Sequence, residues 1–400
     1  MAVATETIPA VTAADGATEA RGSLCLERLA GPEAMAAVAA EWEALDAELT
    51  PRTPFSTPLW NQLWWRHFSR QRGLIRDRFF VHVLRDHCRR LIAVAPLMLT
   101  HRPAFGPLRL SELQFFGADR NLTELRGAVC RPHDQERVLH ALASGLAASA
   151  ADSWDWTRWG RVTDESPTMQ RLGDIGAIAA GRDIRDYVLD LPATWPAFRA
   201  ALPRNIKESL RKCYNSLKRD RHGFRLRVID RPEHVDAALD RFFMLHKARA
   251  SAPFGVAHPD VFARAHTRAF FREYARRMAE GDQLRLFELE IGGAVRAARL
   301  GFRFGDELYL YYSGFDPAWA RYSVMTTTVA EAIRWAIERR LKIVNLSTGT
   351  DVSKLRWRPR EVCYREIVQV APNWRGRRSF ALFSAAQRLV KTGNRNIEPR

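Results

Sequence analysis

The sequence lacks the residue patterns of several common enzyme and membrane protein classes. Its five cysteines are scattered, without a C-x-x-C pair or metal-ligand spacing, which predicts reduced thiols in a cytoplasmic protein and no metal site. No apolar run reaches the roughly 18 residues that a membrane-spanning helix requires. There is no phosphate-binding glycine loop, no H-E-x-x-H motif and no Ser/His/Asp signature, so nothing indicates nucleotide hydrolysis, zinc proteolysis or triad hydrolysis.

The length and composition indicate two domains. The chain has 400 residues, of which 46% are hydrophobic, and its 12 tryptophans can help to fill two cores. We predict a first domain at residues 24–180 and a second at residues 187–370, joined by a polar connection at 161–186 that carries a short helix. Residues 1–23 lack the basic and apolar regions of a signal peptide, so we predict a disordered leader there.

The positive charge is concentrated in two segments. Of the net +17, Pro203–Arg231 contributes +7, with ten Lys/Arg against three Asp/Glu, and Lys354–Arg400 contributes +9, with twelve against three. The second segment includes a basic tail, residues 371–400, in which we predict a short helix at Ala381–Val390. This asymmetry indicates an anionic partner, such as a phosphate group, a nucleic acid or an acidic membrane surface. A generally arginine-rich surface explains it equally well, and both alternatives stay open.

The stretch Glu307–Trp357 has the pattern strand, loop, helix, strand, loop. Leu308–Tyr312 alternates aliphatic and aromatic residues as a strand does, Ser323 is a candidate N-cap for an amphipathic helix, and Ile343–Leu346 is a short apolar strand. Two alternating segments upstream form a hairpin, so three antiparallel strands lead into the helix and a further strand. The first turn of such a helix offers unpaired N–H groups and a positive dipole to an anion such as a pyrophosphate.

This order of elements resembles the C-terminal half of the BioF2-like or CelD-like acetyltransferases, bacterial GNAT proteins related to the FemAB peptidoglycan aminoacyltransferases. The resemblance covers about Leu24–Val370. In the first half it depends on Trp42, Pro54, Phe55, Pro58, Trp60, Trp64, Trp65, Ala95, Pro96, Leu97, Phe116, Gly117 and Asp119, and in the second on Leu245, His246, Arg249, Gly349, Lys354 and Trp357. It implies an α/β (α+β) fold of tandem GNAT-like domains, each a mixed, mostly antiparallel sheet flanked by helices.

The resemblance also implies acetyl-CoA as the acyl donor, with no metal. The residues expected to contact the donor are Tyr311 and Ser313 on the third strand and Arg321, Tyr322, Ser323, Val324 and Met325 in the following loop. That loop departs from the glycine-rich pattern of the family, since no glycine occurs from Asp316 to Arg340. We therefore expect the Val324 side chain to crowd the phosphate groups.

Catalytic and acceptor-binding residues are likewise implied by the resemblance. Asp351 would accept the proton of the amine, and Lys354 would bind a phosphate of the acceptor or stabilise the thioester oxyanion. Tyr312 and His246 are the other catalytic candidates, with one of the tyrosines Tyr311 and Tyr312 lining the groove and the other, on the opposite face of the strand, packing in the core. Trp60, Asp119 and Arg249 are the acceptor-binding candidates. For each of these residues a purely structural role stays open: a loop cap, a surface cation or a packed core residue.

The function implied is N-acyl transfer from acyl-CoA to an amino group, expected to belong to an amino sugar of a bacterial exopolysaccharide or its anionic, phosphate-linked precursor. One alternative is a Fem-like transferase that uses aminoacyl-tRNA. Another is a catalytically degenerate effector that binds a cyclic dinucleotide through the basic tail. We expect a cytoplasmic location, and peripheral contact with an acidic inner membrane stays open.

Overall fold

The computed structural model of the protein describes residues 5–7, 24–103, 109–119, 121–148, 154–162, 165–253 and 258–395. The first half of the chain forms nine strands and five helices within these ranges. The strands are β1 (Thr5–Thr7), β2 (Cys25–Leu29), β3 (Arg76–Phe79), β4 (His82–Arg85), β5 (Leu91–Ala95), β6 (Leu97–Pro103), β7 (Arg109–Phe115), β8 (Val129–Cys130) and β9 (Trp156–Val162). The helices are α1 (Pro32–Ala37), α2 (Ala39–Ala47), α3 (Pro58–Phe68), α4 (Gln135–Ala148) and α5 (Glu165–Ile175).

The second half adds seven strands and seven helices within the described ranges. The strands are β10 (Ile178–Asp190), β11 (Phe224–Ile229), β12 (Leu284–Ile291), β13 (Ala294–Phe304), β14 (Glu307–Phe315), β15 (Ile343–Thr348) and β16 (Arg360–Val370). The helices are α6 (Trp195–Ala201), α7 (Arg204–Arg219), α8 (Pro232–Ala250), α9 (Ala265–Glu280), α10 (Val324–Glu338), α11 (Val352–Leu355) and α12 (Trp374–Arg395).

Two sheets flanked by helices, a smaller antiparallel one and a larger mixed one, organise these strands. The smaller has the order β1-β2-β4-β5-β8, and the larger has the order β11-β12-β13-β14-β15-β10-β16-β9-β7-β6-β3. Neighbouring strands are antiparallel except for the pairs β14–β15 and β7–β9, which are parallel. The predicted fold class, a mixed and mostly antiparallel α/β architecture, is therefore confirmed. So is the order of three antiparallel strands, a helix and a further strand at β12–β15.

The larger sheet runs through both halves of the chain. The predicted connection at 161–186 contains the expected short helix, α5, but from Ile178 onward it is already strand β10 rather than a polar linker. β10 pairs with β16 along almost its whole length, from Ile178 opposite Gln369 to Val188 opposite Arg360. The division into domains at 24–180 and 187–370 stays a prediction, because these strands are continuous across the proposed boundary.

The two ends of the chain differ from the sequence prediction in one respect each. Within the predicted leader, Thr5–Thr7 pairs with β2, and the rest of residues 1–23 lies outside the described residues. The basic tail contains one 22-residue helix, Trp374–Arg395, that begins well before the predicted Ala381. Within the described part of the chain, no helix is long and apolar enough to cross a membrane, and no group of His, Cys, Asp and Glu side chains could hold a metal ion.

Candidate active site

A cleft opens between the parallel strands β14 and β15. They pair only where Glu307–Tyr309 lies beside Ile343–Asn345, although both strands continue beyond these residues. Just past the last pair, Nη2 of Arg299 on β13 lies 2.9 Å from the carbonyl oxygen of Leu310 and 3.5 Å from that of Leu346. The guanidinium thus bridges the two strands at the closed end of the cleft. Its burial lowers the pKa of Arg299 to about 10, so it stays charged at neutral pH.

A β-bulge on β14 places two tyrosines in one cluster. The register between β13 and β14 shifts so that Tyr311 and Tyr312 together oppose Leu300. The hydroxyl of Tyr311 donates to the carbonyl of Leu122, and that of Tyr312 to the carbonyl of Asn121. The prediction that the two side chains point to opposite faces is therefore wrong, because the bulge interrupts the alternation. Tyr311 is 2% exposed, so it packs in the core and does not line the groove. Burial raises the pKa of both hydroxyls, so Tyr312 stays protonated and is not a ready proton acceptor.

Trp60 belongs to the core that joins the two halves of the chain. It is 1% exposed, and its ring packs edge-on against Phe55, Phe270 and Tyr274 at centroid distances of 4.9–5.0 Å. A tryptophan enclosed in this way cannot contact a sugar in solution. The acceptor-binding role suggested for Trp60 is corrected to a packing role.

Asp119 fixes a loop instead of binding an acceptor. Its carboxylate accepts hydrogen bonds from the indole of Trp64 at 2.8 Å and from the backbone N–H groups of Leu122 and Thr123 at 2.7 and 2.9 Å. Burial raises the pKa of Asp119, and these hydrogen bonds oppose that rise. With its oxygens occupied by the protein, Asp119 holds the turn that directs the next acid, Glu124, into the cleft.

Glu124 reaches the cleft from the first half of the chain. Its carboxylate accepts hydrogen bonds from the hydroxyl of Tyr309 on β14 and from the backbone N–H of Thr348 at the end of β15, the latter at 3.3 Å. Behind it, Asp186 on β10 is fully buried and accepts a 2.6 Å hydrogen bond from Nδ2 of Asn345. Burial raises the pKa of Asp186 to about 6. Glu124 is partly exposed to solvent.

Lys354 points into the same cleft. Its Nζ lies 3.0 Å from Oγ of Ser347 and also donates to the carbonyl of Thr348. Burial is the main reason why the pKa of Lys354 falls to about 8, and the charge of Arg299 adds to the decrease while Glu124 opposes it. The predicted catalytic lysine is therefore a partly buried ammonium group with a lowered pKa, which suits it to stabilise a developing oxyanion.

Asp351 caps the short helix α11. Its Oδ1 accepts a 2.8 Å hydrogen bond from the backbone N–H of Ser353. Burial by itself raises the pKa of Asp351, but hydrogen bonds from Ser353 and the charge of Lys354 outweigh it and hold the pKa below its usual value. A carboxylate with a lowered pKa is a weak base, so Asp351 is poorly suited to take a proton from an amine.

His246 and Arg249 on α8 both contact Ser313 on β14. Nδ1 of His246 donates to the Ser313 carbonyl at 2.9 Å, and Nη1 of Arg249 lies 2.5 Å from the Ser313 hydroxyl. Nη2 of Arg249 lies 2.6 Å from Nε2 of His258, which must then be the unprotonated nitrogen of that ring. The pKa of His246 is lowered by burial, so it is neutral at pH 7. These residues form one wall of the cleft, and His246 acts mainly as a structural contact.

The predicted phosphate-binding loop lies at the start of α10. Ser323 is the N-cap residue, as predicted, and it is exposed, with a left-handed backbone (φ 51°) and no hydrogen bond from its hydroxyl to the helix. Val324 is 1% exposed and packs inward with Leu217 and Ile291, while Met325 is partly buried. The expectation that Val324 crowds the phosphate groups is therefore wrong, because its side chain faces the protein core. Within the first turn, the N–H of Thr326 donates to the carbonyl of Ser323 at 2.9 Å.

Tyr322 and Arg321 contact each other and the end of α7. The hydroxyl of Tyr322 donates to Asp220 at 2.9 Å, and Nη2 of Arg321 lies 2.6 Å from that hydroxyl. Hydrogen bonds from Arg219 and then from Tyr322 lower the pKa of Asp220 to about 2. Tyr322 thus supports the loop from inside, and Arg321, which is exposed, remains available to an anion.

An unpredicted cation lies beside the first turn of α10. The guanidinium of Arg356 donates to Oγ1 of Thr326 in that turn at 3.0 Å and to Oγ of Ser209 on α7 at 2.6 Å. Arg356 follows Lys354 by only two residues. The segment that contains α11 therefore places one cation beside the first turn of α10 and the other in the cleft. An anion at the helix and a carbonyl group at Lys354 would therefore lie along one path.

Five residues of the site were not found from the sequence. They are Glu124, Asp186, His258, Arg299 and Arg356. None belongs to a motif with a recognisable spacing. Glu124 and Asp186 are brought to β14 and β15 from distant parts of the chain, whereas Arg299 and Arg356 lie close to these strands in sequence.

Part of the chain matches a known protein family. Residues 204–358 match the acetyltransferase (GNAT) domain family, and this segment contains β11–β15 and the whole of α10 and α11. No curated protein sequence matches the chain. Residues 204–358 are thus a GNAT acetyltransferase domain, and the protein is an acyltransferase.

Three solved structures illustrate the similarity of the fold. The crystal structure of FemX is similar with a TM-score of 0.54 at 10% identity, over 82% of this chain and 95% of FemX. A GCN5-related N-acetyltransferase from Sphaerobacter thermophilus has a TM-score of 0.39 at 13% identity, over 88% of this chain and 96% of its own. A tandem GNAT protein from the clavulanic acid biosynthesis pathway has a TM-score of 0.39 at 12% identity, over 88% and 99%. The similarity to FemX supports the fold over most of the chain.

Proposed function

We propose that the protein transfers an acyl group, with acetyl-CoA as the donor, to the amino group of an amino sugar. The observation that supports this most directly is the separation of β14 and β15 beyond Tyr309 and Asn345, next to the first turn of α10. A pantetheine arm can lie along the separated strand edges, and the pyrophosphate can accept from the first-turn N–H groups. Arg321 and Arg356 add positive charge on either side of that turn.

The chemistry assigned to the cleft is direct transfer. The amine nitrogen attacks the thioester carbonyl carbon, the C–S bond breaks, and the products are an amide and the thiol of coenzyme A. Lys354 stabilises the negative charge that develops on the carbonyl oxygen. Glu124 takes the proton that the amine loses and then, as a carboxylic acid, gives a proton to the leaving thiolate, which regenerates the carboxylate. Neither role requires a covalent intermediate with the enzyme.

The choice of an amino sugar as the acceptor depends on more than the geometry of the site. A sugar of an exopolysaccharide precursor is proposed on the resemblance of the sequence, and the partly buried Arg249 and His258 offer suitable hydrogen-bonding groups. The exposed cations of α7 (Arg204, Arg211, Lys212) would suit a phosphate-linked form of that sugar.

The release of free thiol from acetyl-CoA tests this proposal. We expect release when an amino sugar or its nucleotide diphosphate derivative is added, with mass spectrometry showing the acetylated nitrogen. If neither acceptor causes thiol release and the chain instead transfers the aminoacyl group of aminoacyl-tRNA, the Fem-like alternative would be favoured. The cationic face of α7 supports that alternative, which predicts salt-sensitive tRNA binding.

The effector alternative, with a cyclic dinucleotide at the basic tail, depended on a blocked donor site. The inward orientation of Val324 removes that support. A cyclic dinucleotide that bound tightly to the chain, with no binding of acetyl-CoA, would restore it.

A further inference from the structure

Helix α12 carries an exposed face that combines apolar and cationic residues. Trp374 is 67% exposed and Leu382 is 58% exposed, so both expose more than half of their side chains to solvent. Eight residues apart on a helix, they lie within about 80° of each other around its axis. Arg378 lies between them with its guanidinium 5.6 Å from the Trp374 ring centroid, and Arg377 is also exposed. We call Trp374, Arg377, Arg378 and Leu382 the outer face of α12.

The opposite face of α12 is fixed to the body of the protein. The ring of Phe383 stacks on Trp156 at a centroid distance of 4.7 Å. Gly376 approaches the backbone so closely that a Cβ atom there would lie 2.8 Å from the carbonyl oxygen of Asp155. Nε of Arg375 forms an ion pair with the same Asp155 at 3.4 Å. The helix therefore presents its outer face from a rigid base.

We propose that the outer face of α12 binds the surface of an anionic lipid bilayer. An exposed tryptophan and leucine flanked by arginines is the arrangement found in helices that lie in the membrane interface, where the apolar groups enter the headgroup boundary and the cations contact phosphates. A soluble anion would use the arginines alone and would leave Trp374 and Leu382 without a partner. The sequence of α12 contains six Lys/Arg and no Asp/Glu, and this charge complements anionic headgroups.

Flotation with lipid vesicles tests this proposal without using enzymatic activity. The full chain is mixed with vesicles of phosphatidylcholine alone or with added phosphatidylglycerol. We expect it to float only with the anionic vesicles. Because each Lys or Arg near an anionic surface contributes substantially, the charge reversal Arg377→Glu with Arg378→Glu should lower the partition coefficient by roughly tenfold or more.

A second pair of substitutions tests the apolar part of the face. Trp374→Ser with Leu382→Ser leaves the charge unchanged and should also weaken flotation by roughly tenfold. The matched control is Leu74→Ser, which removes an 84% exposed leucine beside β3, an edge strand of the larger sheet that is separated from β9 by β7 and β6. The control for charge is Arg211→Glu with Lys212→Glu on α7. Both controls should float as the parent chain does.

Several outcomes would overturn the proposal. The chain would not float with anionic vesicles, or the α7 reversal would abolish flotation while the α12 variants retained it. Unchanged flotation of the Trp374 and Leu382 variant would also contradict it, since the apolar residues would then take no part. Binding of a cyclic dinucleotide that is lost in the Arg377 and Arg378 variant, without any vesicle binding, would assign the face to a soluble ligand instead.

Discussion

The carboxylate of Glu124 accepts a hydrogen bond from the hydroxyl of Tyr309, a residue 185 positions later in the chain. This bond connects the first half of the protein to the strand that opens the donor cleft. A second bond, from the Thr348 N–H, attaches the same carboxylate to the other strand of the cleft. The proposed active-site cleft is therefore assembled from both halves, although residues 204–358 alone match the acetyltransferase domain.

Replacing the proposed base should slow the reaction without unfolding the protein. Glu124→Gln keeps the shape and can still accept from Tyr309, but it cannot take a proton from the amine. We expect kcat/KM to fall by about 100-fold or more, which is the usual contribution of a general base. Steady-state kinetics measure this, with Tyr309→Phe as the control for loss of the hydrogen bond alone, for which less than about tenfold is expected. Equal losses in the two variants would assign Glu124 a positioning role.

Lys354 should determine how activity declines at high pH. Its pKa of about 8 is lowered from the ordinary lysine value, so the ammonium form is complete well below pH 8 and is lost as the pH rises through it. If the ammonium stabilises the oxyanion, kcat should decrease above about pH 8. Lys354→Arg, which stays protonated, should retain part of the activity and move this decrease to higher pH. A parent enzyme whose kcat does not change between pH 7 and pH 10 would contradict this role.

The contact between α8 and β14 should be sensitive to a single methyl group. A Cβ atom at Gly314 would lie 2.3 Å from the backbone nitrogen of His246, and neither backbone can move away without separating the helix from the strand. We expect Gly314→Ala to lower the free energy of unfolding by about 1–3 kcal/mol. Gly223→Ala is the control, because nothing lies within 4 Å of the added atom, and denaturant titration compares the two. Similar unfolding midpoints for both variants would show that the contact is looser than described.

Local patterns in the sequence predicted the fold well where neighbouring residues determine it. The alternation in β12–β14 and the N-cap position of Ser323 both depend on such patterns, and each lies at its predicted place. The bulge at Tyr311–Tyr312 was missed because alternation assumes a regular strand.

The composition of the cleft was predicted less well. Lys354 was predicted because it belongs, with Gly349 and Trp357, to the residues on which the family resemblance depends. By contrast, Asp186 meets its partner Asn345 across 159 residues, and Glu124 comes from a loop with no distinctive spacing. Only the three-dimensional arrangement of strands brings such residues together. Trp60 and Asp119 are residue types that suit a sugar contact, but the protein encloses both side chains. The sequence does not show this burial, so their acceptor-binding roles were predicted wrongly.

The most direct test of the account is calorimetric titration with acetyl-CoA of the parent chain and of two variants at the start of α10. Ser323 is exposed and has a left-handed backbone that Asp and Asn both tolerate, so Ser323→Asp and Ser323→Asn differ only in charge. We predict that the parent and the Asn variant bind alike and that the Asp variant binds at least about tenfold more weakly. The introduced carboxylate would lie at the position of the pyrophosphate and repel its negative charge. Equal binding by all three chains, or no binding by the parent, would contradict a donor site at this helix.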